Sequence, residues 1–416
     1  AAEVGLKKGD LILAINDSTM KGKETQYVSD HLRGDVGTSF ILKIKRPSTG
    51  KVMKFKVTRK LIQTPAVPYY GLLNDSVGYI QLQSFSEGSS KIFRNAVIEM
   101  KQKGMKGLIF DLRGNGGGSE SEAVNIVNVF VPKGKLIVSN RGKLKRANRD
   151  FLTQVEPVDT VMPLVVLVNG ESASASEITS GALQDLDRAV IMGTRTYGKG
   201  IVQTVLELPY NAQMKLTTNK YYIPSGRCIQ ARNFRKTDGE DREELVKDSL
   251  AKTFFTVNGR KVKDAGGVQP DLEVKPDSMP NISYYLVAMR DSSEVLLGYV
   301  LDYIASHKTI APAAEFEISD SEFEDFKKRV VESNFKYDPK EEFKALEMKL
   351  RHDVGKEMEK AKVSIKRLLA SQIVSAYYYQ EGAVRNSLRT DKITGEALKL
   401  LADKARYSEL LMPKAE

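Results

Sequence analysis

The stretch PLVVLVNGESASASEITSGALQDLDRAVIMGTRTYGKGIVQ, residues 163 to 203, decides the fold. Pro163 to Val168 is a short apolar run rich in β-branched residues, the pattern of a strand buried on both faces. Asn169 and Gly170 break it. From Ser174 the apolar residues recur at Ile178, Ala182, Leu183 and Leu186, which is helical spacing. Ser174 therefore falls where a buried strand hands over to a helix, and the unpaired N–H groups of a helix start favour developing negative charge. Two readings of Ser174 stand side by side. Ser174-Ala175-Ser176-Glu177 fits a capping box, with the serine capping the helix and Glu177 reaching back. The same place also suits a nucleophile.

The rest of the stretch favours the nucleophile. Tyr197-Gly198-Lys199-Gly200 sets a lysine between two glycines at the start of a further apolar strand, where backbone can approach another element closely. Burial lowers a lysine pKa from about 10.4 towards the ~7–8 useful for a general base. Gln203 lies four residues beyond Lys199, on the same face of a strand, where an amide could orient the amine without adding charge. The three histidines, His31, His307 and His352, all lie outside residues 60–300. A base other than imidazole is the economical choice, and a Ser/Lys pair supplies it.

The runs SASASEITSGALQD and GTRTYGKGIVQ, with Lys199 twenty-five positions after Ser174, resemble the C-terminal processing peptidases, or tail-specific proteases, of serine peptidase family S41. The resemblance extends over roughly residues 1 to 275. It implies Ser174 as nucleophile, Lys199 as general base and Gln203 as the residue that positions the lysine. An accessory acid in the helix after the serine would match Asp185, which reads equally well as a solvated helix-end charge. The loop Arg113-Gly114-Asn115-Gly116-Gly117-Gly118 follows an apparent buried strand, Gly107 to Leu112. It lacks the spacing of a phosphate cradle. By resemblance it supplies an oxyanion-hole N–H from Gly117, or from Gly118, paired with that of Ala175.

At 416 residues, two to four domains are expected. Hydrophobic residues at 41% and charged residues at 28% describe a globular chain rather than a disordered one. The net charge of +11 arises from 64 basic residues dispersed among 53 acids, without a basic stripe carrying aromatics, so nucleic acid is not an expected partner. The single Cys228 excludes an intrachain disulfide, and no metal-ligand spacing occurs. No cofactor and no metal are expected. No apolar run is long enough to span a membrane. The opening AAEVGLKKGD begins abruptly inside what reads as a domain, so a piece of a longer chain is expected.

Alternating strands and helices through the middle of the chain give an α/β class, and the expected architecture is multidomain. Residues 1–62 form a PDZ-like domain whose N-terminal part, including the carboxylate-binding loop, would precede residue 1. Its signs are GLKKGD…IND, a helix from Glu24 to Arg33 and a hairpin alternating at Phe40, Leu42, Ile44 and Met53, Phe55, Val57. Val28, His31 and Leu32 would line its peptide groove, with His31 a partly buried structural residue. Residues 63–280 form the peptidase core, which the resemblance makes crotonase-like. Within it residues 133–160 read as an exposed basic excursion, 204–230 as strands beside the pair that could add a substrate strand, and Arg232 to Lys252 as a mobile charged run. Residues 281–416 form an all-helical domain with stripes at Phe323, Phe326, Val330, Leu346 and Leu350, a candidate surface for homo-oligomerisation. The resemblance implies cleavage of unfolded or tagged proteins near their C-termini, in the bacterial cell envelope or periplasm. The alternative is an inactive peptide-binding scaffold.

Overall fold

The computed structural model describes residues 2–47, 49–62, 64–233, 244–245, 250–288, 290–333 and 354–413. Leu346, Leu350, His352 and most of the charged run from Arg232 to Lys252 lie outside the described residues. Two compact units divide the chain: Ala1–Thr64 with Ser278–Arg389, and Pro65–Asp277 with Thr390–Glu416.

Alternation of apolar and polar residues builds the first sheet. Strands β1 (Leu11–Ile15), β2 (Ser18–Thr19), β3 (Ser39–Lys45) and β4 (Val52–Thr58) pair antiparallel in the order β2-β1-β3-β4, with helix α1 (Thr25–Leu32) between β2 and β3 in the chain. The hairpin register sets Phe40 opposite Val57, Leu42 opposite Phe55 and Ile44 opposite Met53. One face is therefore apolar, as a period of two requires. Val28 and Leu32 of α1 pack on that face. His31 is half-buried, its Nδ1 2.9 Å from the Tyr27 carbonyl and its ring 4.2 Å from the Tyr27 ring, a local structural role.

The second unit carries the α/β core. Its elements run β5 (Tyr69–Leu72), β6 (Val77–Gln81), α2 (Ser89–Gln102), β7 (Gly107–Asp111), α3 (Glu120–Val127), β8 (Leu136–Gly142), β9 (Arg149–Leu152), β10 (Leu164–Val168), α4 (Ala175–Asp185), β11 (Val190–Gly193), β12 (Ile201–Leu208) and β13 (Ala212–Tyr222). Strands β6, β7, β10, β11 and the short Leu272–Glu273 are parallel, and β5 closes one edge antiparallel. Every residue of β7 and β10 is buried, the consequence of helices covering a parallel sheet. Phe93 of α2 packs on Phe110 of β7 at 4.6 Å and on Phe130 at 6.0 Å.

A second, antiparallel sheet has the order β12-β13-β8-β9. It corrects the reading of residues 133–160 as an exposed excursion. Ile137, Val138, Ser139 and Asn140 of β8 are buried, whereas residues 133–135 before them and 143–147 after them are exposed. The high density of lysine and arginine in the turn between β8 and β9 masked the short apolar run that precedes it.

The helical stretch after Pro280 is shared between the two units. Helices α5 (Asn281–Ala288), α6 (Arg290–Ser306), α7 (Asp320–Glu332), α8 (Val354–Lys360) and α9 (Lys362–Leu388) belong to the first. There Phe323, Phe326 and Val330 of α7 join Ile282, Leu286, Val300, Ile365 and Leu369 in one core. Ser319 and Glu322 cap α7 reciprocally, Glu322 N–H to Ser319 Oγ at 3.2 Å and Ser319 N–H to Glu322 Oε2 at 2.6 Å.

Helices α10 (Lys392–Ala402) and α11 (Lys404–Leu410) belong to the second unit. Asp391 caps α10 through the Ile393 N–H at 3.0 Å and pairs with Arg113 at 2.5 Å. Arg113 also grips Asp111, the last residue of β7, at 2.6 Å, and Tyr79 donates to the same carboxylate at 2.7 Å. The Tyr407 hydroxyl accepts from Leu164 N–H at 2.9 Å and donates to Leu164 O at 3.1 Å, at the start of β10. Tyr407→Phe leaves both buried backbone groups of Leu164 without this partner. We expect it to lower the unfolding free energy by about 1–3 kcal/mol, read by urea denaturation.

Candidate active site

Two loops at the C-terminal ends of neighbouring parallel strands meet. After β7 comes the glycine loop, and after β10 comes the turn that ends on Ser174. Asn169 Oδ1 accepts from Gly114 N–H at 3.0 Å, and the Asn115 carbonyl accepts from Ala173 N–H at 3.0 Å and from the Ser176 hydroxyl at 2.8 Å. Gly117 sits so close that a Cβ there would lie 2.7 Å from the Ala173 carbonyl oxygen and 2.8 Å from Ser174 Cβ, with φ at +103°. Only glycine fits.

Ser174 itself has φ 57° and ψ −114°, a strained conformation for a residue with a side chain. It stands at the N-cap of α4, yet its side chain makes no cap hydrogen bond. The Glu177 return bond is made: Ser174 N–H donates to Glu177 Oε2 at 2.9 Å. Ser174 lines the cleft beside the Glu177 bond that closes the helix start.

Glu177 does far more than close a cap. Its Oε2 also accepts from Lys199 N–H at 2.8 Å, while Oε1 accepts from Gly198 N–H at 2.7 Å and from the Thr196 hydroxyl at 2.6 Å. One buried carboxyl thus ties the serine segment to the lysine segment. Burial pushes its pKa up from the ordinary 4.5, while the hydrogen bonds from Thr196, Lys199, Gly198 and Ser174 pull it down; the net direction is upward. The Tyr221 hydroxyl spans the same two segments on the other strand, donating to the Lys199 carbonyl and reaching the Ser174 carbonyl at 3.2 Å. Burial holds that phenol well above its usual range, so it stays a donor. Tyr221 carried no signal in the sequence, and Glu177 showed only its capping motif.

Lys199 is half-buried just before β12, between glycines that admit the 229–231 segment. A Cβ on Gly198 would lie 2.2 Å from Ala231 Cβ, and Gly200 N–H donates to Gln230 Oε1 at 2.6 Å. A register shift between Val202 and Gln203 interrupts the strand alternation assumed between Lys199 and Gln203. Both side chains nevertheless line one cleft of about 220 Å³ with Ser174, Ala175, Gly118, Ile178 and Tyr221.

The Gly117 N–H donates to Asn115 Oδ1 at 2.8 Å, and Gly118, the alternative glycine, lines the cleft. Asp185 is not a solvated charge. It is buried at the far end of α4, roughly 15 Å of helix from Ser174, where it pairs with the buried Arg227 at 2.8 Å and accepts from Ser225 N–H at 3.0 Å.

Among the described residues no cluster of His, Cys, Asp and Glu could hold a metal ion. Glu177→Gln would set an amide N–H2 among four donors, and we expect a loss of about 1–3 kcal/mol in unfolding free energy. The raised pKa means that the folded chain holds this proton more tightly than the unfolded chain. Stability from this group therefore falls as pH rises above 4.5 towards the folded value, and that slope disappears in Glu177→Gln, as denaturation at stepped pH will read.

Comparison with known proteins came out as follows. Residues 76–237 match the family described as "Peptidase family S41", residues 1–46 a "PDZ domain", and residues 282–342 and 338–401 the "Probable PDZ-protease, C-terminal helical domain". A carboxy-terminal-processing protease of Bartonella bacilliformis is 38% identical over 234 residues, covering 55% of this chain and 53% of that protein. The chloroplastic carboxyl-terminal-processing peptidase 1 of Arabidopsis thaliana is 35% identical over 262 residues, covering 60% of this chain and 53% of that protein. The chain thus spans about half the length of these curated relatives. A solved structure titled photosystem II D1 C-terminal processing protease overlays with a TM-score of 0.40 at 26% identity, covering 67% of this chain and 66% of that one.

Proposed function

We propose, from a core that belongs to peptidase family S41, that the chain is a serine endopeptidase working through a Ser174/Lys199 dyad. The observation that carries this is the shared cleft: a strained serine, a half-buried lysine and Gln203 line one cavity, with the first two segments fastened by the same carboxyl. Lys199 in its neutral form takes the proton of Ser174 as Oγ bonds to the peptide carbonyl carbon. The oxyanion lies at the Ala175 and Gly118 N–H groups, between the starts of α4 and α3. Lys199 then gives its proton to the departing amine as the C–N bond breaks, leaving an acyl ester on Ser174. Water, deprotonated by Lys199, attacks the ester, and the serine regains its proton. Gln203 orients the amine without adding charge.

The similarity to a carboxy-terminal-processing protease supports proteins cut near their C-termini as substrates; unfolded chains as the form acted on and the bacterial cell envelope as the setting belong to the same proposal. Among the described residues no helix is long and apolar enough to cross a membrane. The PDZ-like sheet and α1 would bind the substrate's tail.

The test is cleavage of an unfolded protein with an apolar C-terminal tail. Ser174→Ala and Lys199→Ala should each lower kcat by about 10⁴-fold or more with folding intact, and the double variant should lose little beyond either single one. Residual activity near the parent level in either variant would refute the dyad.

A further inference from the structure

Hydrolysis by Ser174 and Lys199 leaves one polar feature of their cleft unused. Glu120, the first residue of α3, stands two positions beyond Gly118 and lines the cleft with Ile178, one turn into α4. Helices α3 and α4 pack against each other, so these two side chains belong to neighbouring walls. Glu120 Oε2 accepts from Asn140 Nδ2 at 2.8 Å. Its Oε1 is buried without a hydrogen-bond partner, and so is Asn140 Oδ1 on β8. Burial also pushes the Glu120 carboxyl above its ordinary range, against the pull of the Asn140 hydrogen bond. Unsatisfied buried acceptors are rare and destabilising, and two adjacent ones beside a nucleophile call for a donor from outside.

We infer that Glu120, held by Asn140, is a substrate-contacting specificity residue that selects a neutral hydrogen-bond-donating side chain, such as Thr, Ser or Asn, at the residue whose carbonyl Ser174 attacks. The inference rests on the peptidase reading. A carbonyl held between Gly118 and Ala175 lies between the starts of α3 and α4, and the side chain on its adjoining Cα falls between the walls that Glu120 and Ile178 supply. Charge decides among donors. Lys215 lines the same cleft, so a substrate lysine or arginine would meet a like charge, and an acidic side chain would meet Glu120. A compact neutral donor satisfies the carboxyl without either conflict, and its methyl or methylene surface rests on Ile178.

The experiment uses the full chain and peptide pairs that differ only at the cleaved residue, Thr against Val and Asn against Leu. In the intact protein kcat/KM should favour the donor by about tenfold or more. Glu120→Leu should abolish or reverse that ratio, and Glu120→Gln, which keeps an acceptor, should retain most of it. Equal rates within each pair, or a preference that survives Glu120→Leu, would overturn the inference while leaving the peptidase intact. Binding of the same pairs to Ser174→Ala separates the two readings. A donor preference in Kd with no cleavage by the parent chain would sink the peptidase reading and keep the specificity of the cleft, whereas neither cleavage nor preference would sink both.

Discussion

A single buried carboxyl sets the geometry on which everything else at this site depends. Glu177 accepts two hydrogen bonds on each oxygen, from the backbone of Ser174 and from three groups of the segment that carries Lys199. Without it, residues twenty-five positions apart would be left to Tyr221, the Tyr197–Ser172 backbone hydrogen bond and the flanking strands. With it, the turn after β10 and the turn before β12 behave as one body. The strained backbone of Ser174 is the counterpart of that grip. A serine in a relaxed N-cap would spend its hydroxyl on the helix, and here the hydroxyl faces the cleft.

The parallel sheet supplies the second constraint. Strands β7 and β10 are neighbours in register, so the loops leaving their ends must meet, and glycine at 117 allows the close approach. The C-terminal helices hold the same two strands from outside the stretch, residues 76–237, that matches the S41 family. Arg113 joins Asp111 to Asp391, and Tyr407 seals the start of β10. The last two helices therefore belong to the unit that carries the parallel sheet and the cleft, whereas the helices that precede them belong to the other unit.

The buried strands, the hairpin of the first sheet and the serine and lysine positions were legible in the sequence because each rests on a local pattern: a β-branched apolar run, a period of two, a helix start and a lysine between glycines. The partners that hold the site were not. Tyr221 lies forty-seven positions from Ser174, and nothing in its neighbourhood distinguishes it from an ordinary strand tyrosine. Glu177 looked like half of a cap because the sequence shows only the near end of its contacts. Asp185 read equally well as an accessory acid or a solvated charge because the arginine that buries it comes forty-two residues later. Glu120 follows a serine N-cap and resembles any first-turn acid, and only the tertiary fold shows that one of its oxygens has no partner. Local chemistry was readable; tertiary pairing was not.

The central claim is a covalent intermediate on one named oxygen. Mass spectrometry of the full chain, acid-quenched within milliseconds of mixing with an activated ester or an unfolded substrate, tests it most directly. The account predicts an acyl adduct confined to the peptide containing Ser174, absent in Ser174→Ala and accumulating in Lys199→Ala acylated by an activated ester, because the base that deprotonates the resolving water is gone. Turnover with no adduct, or an adduct on any other residue, would contradict it.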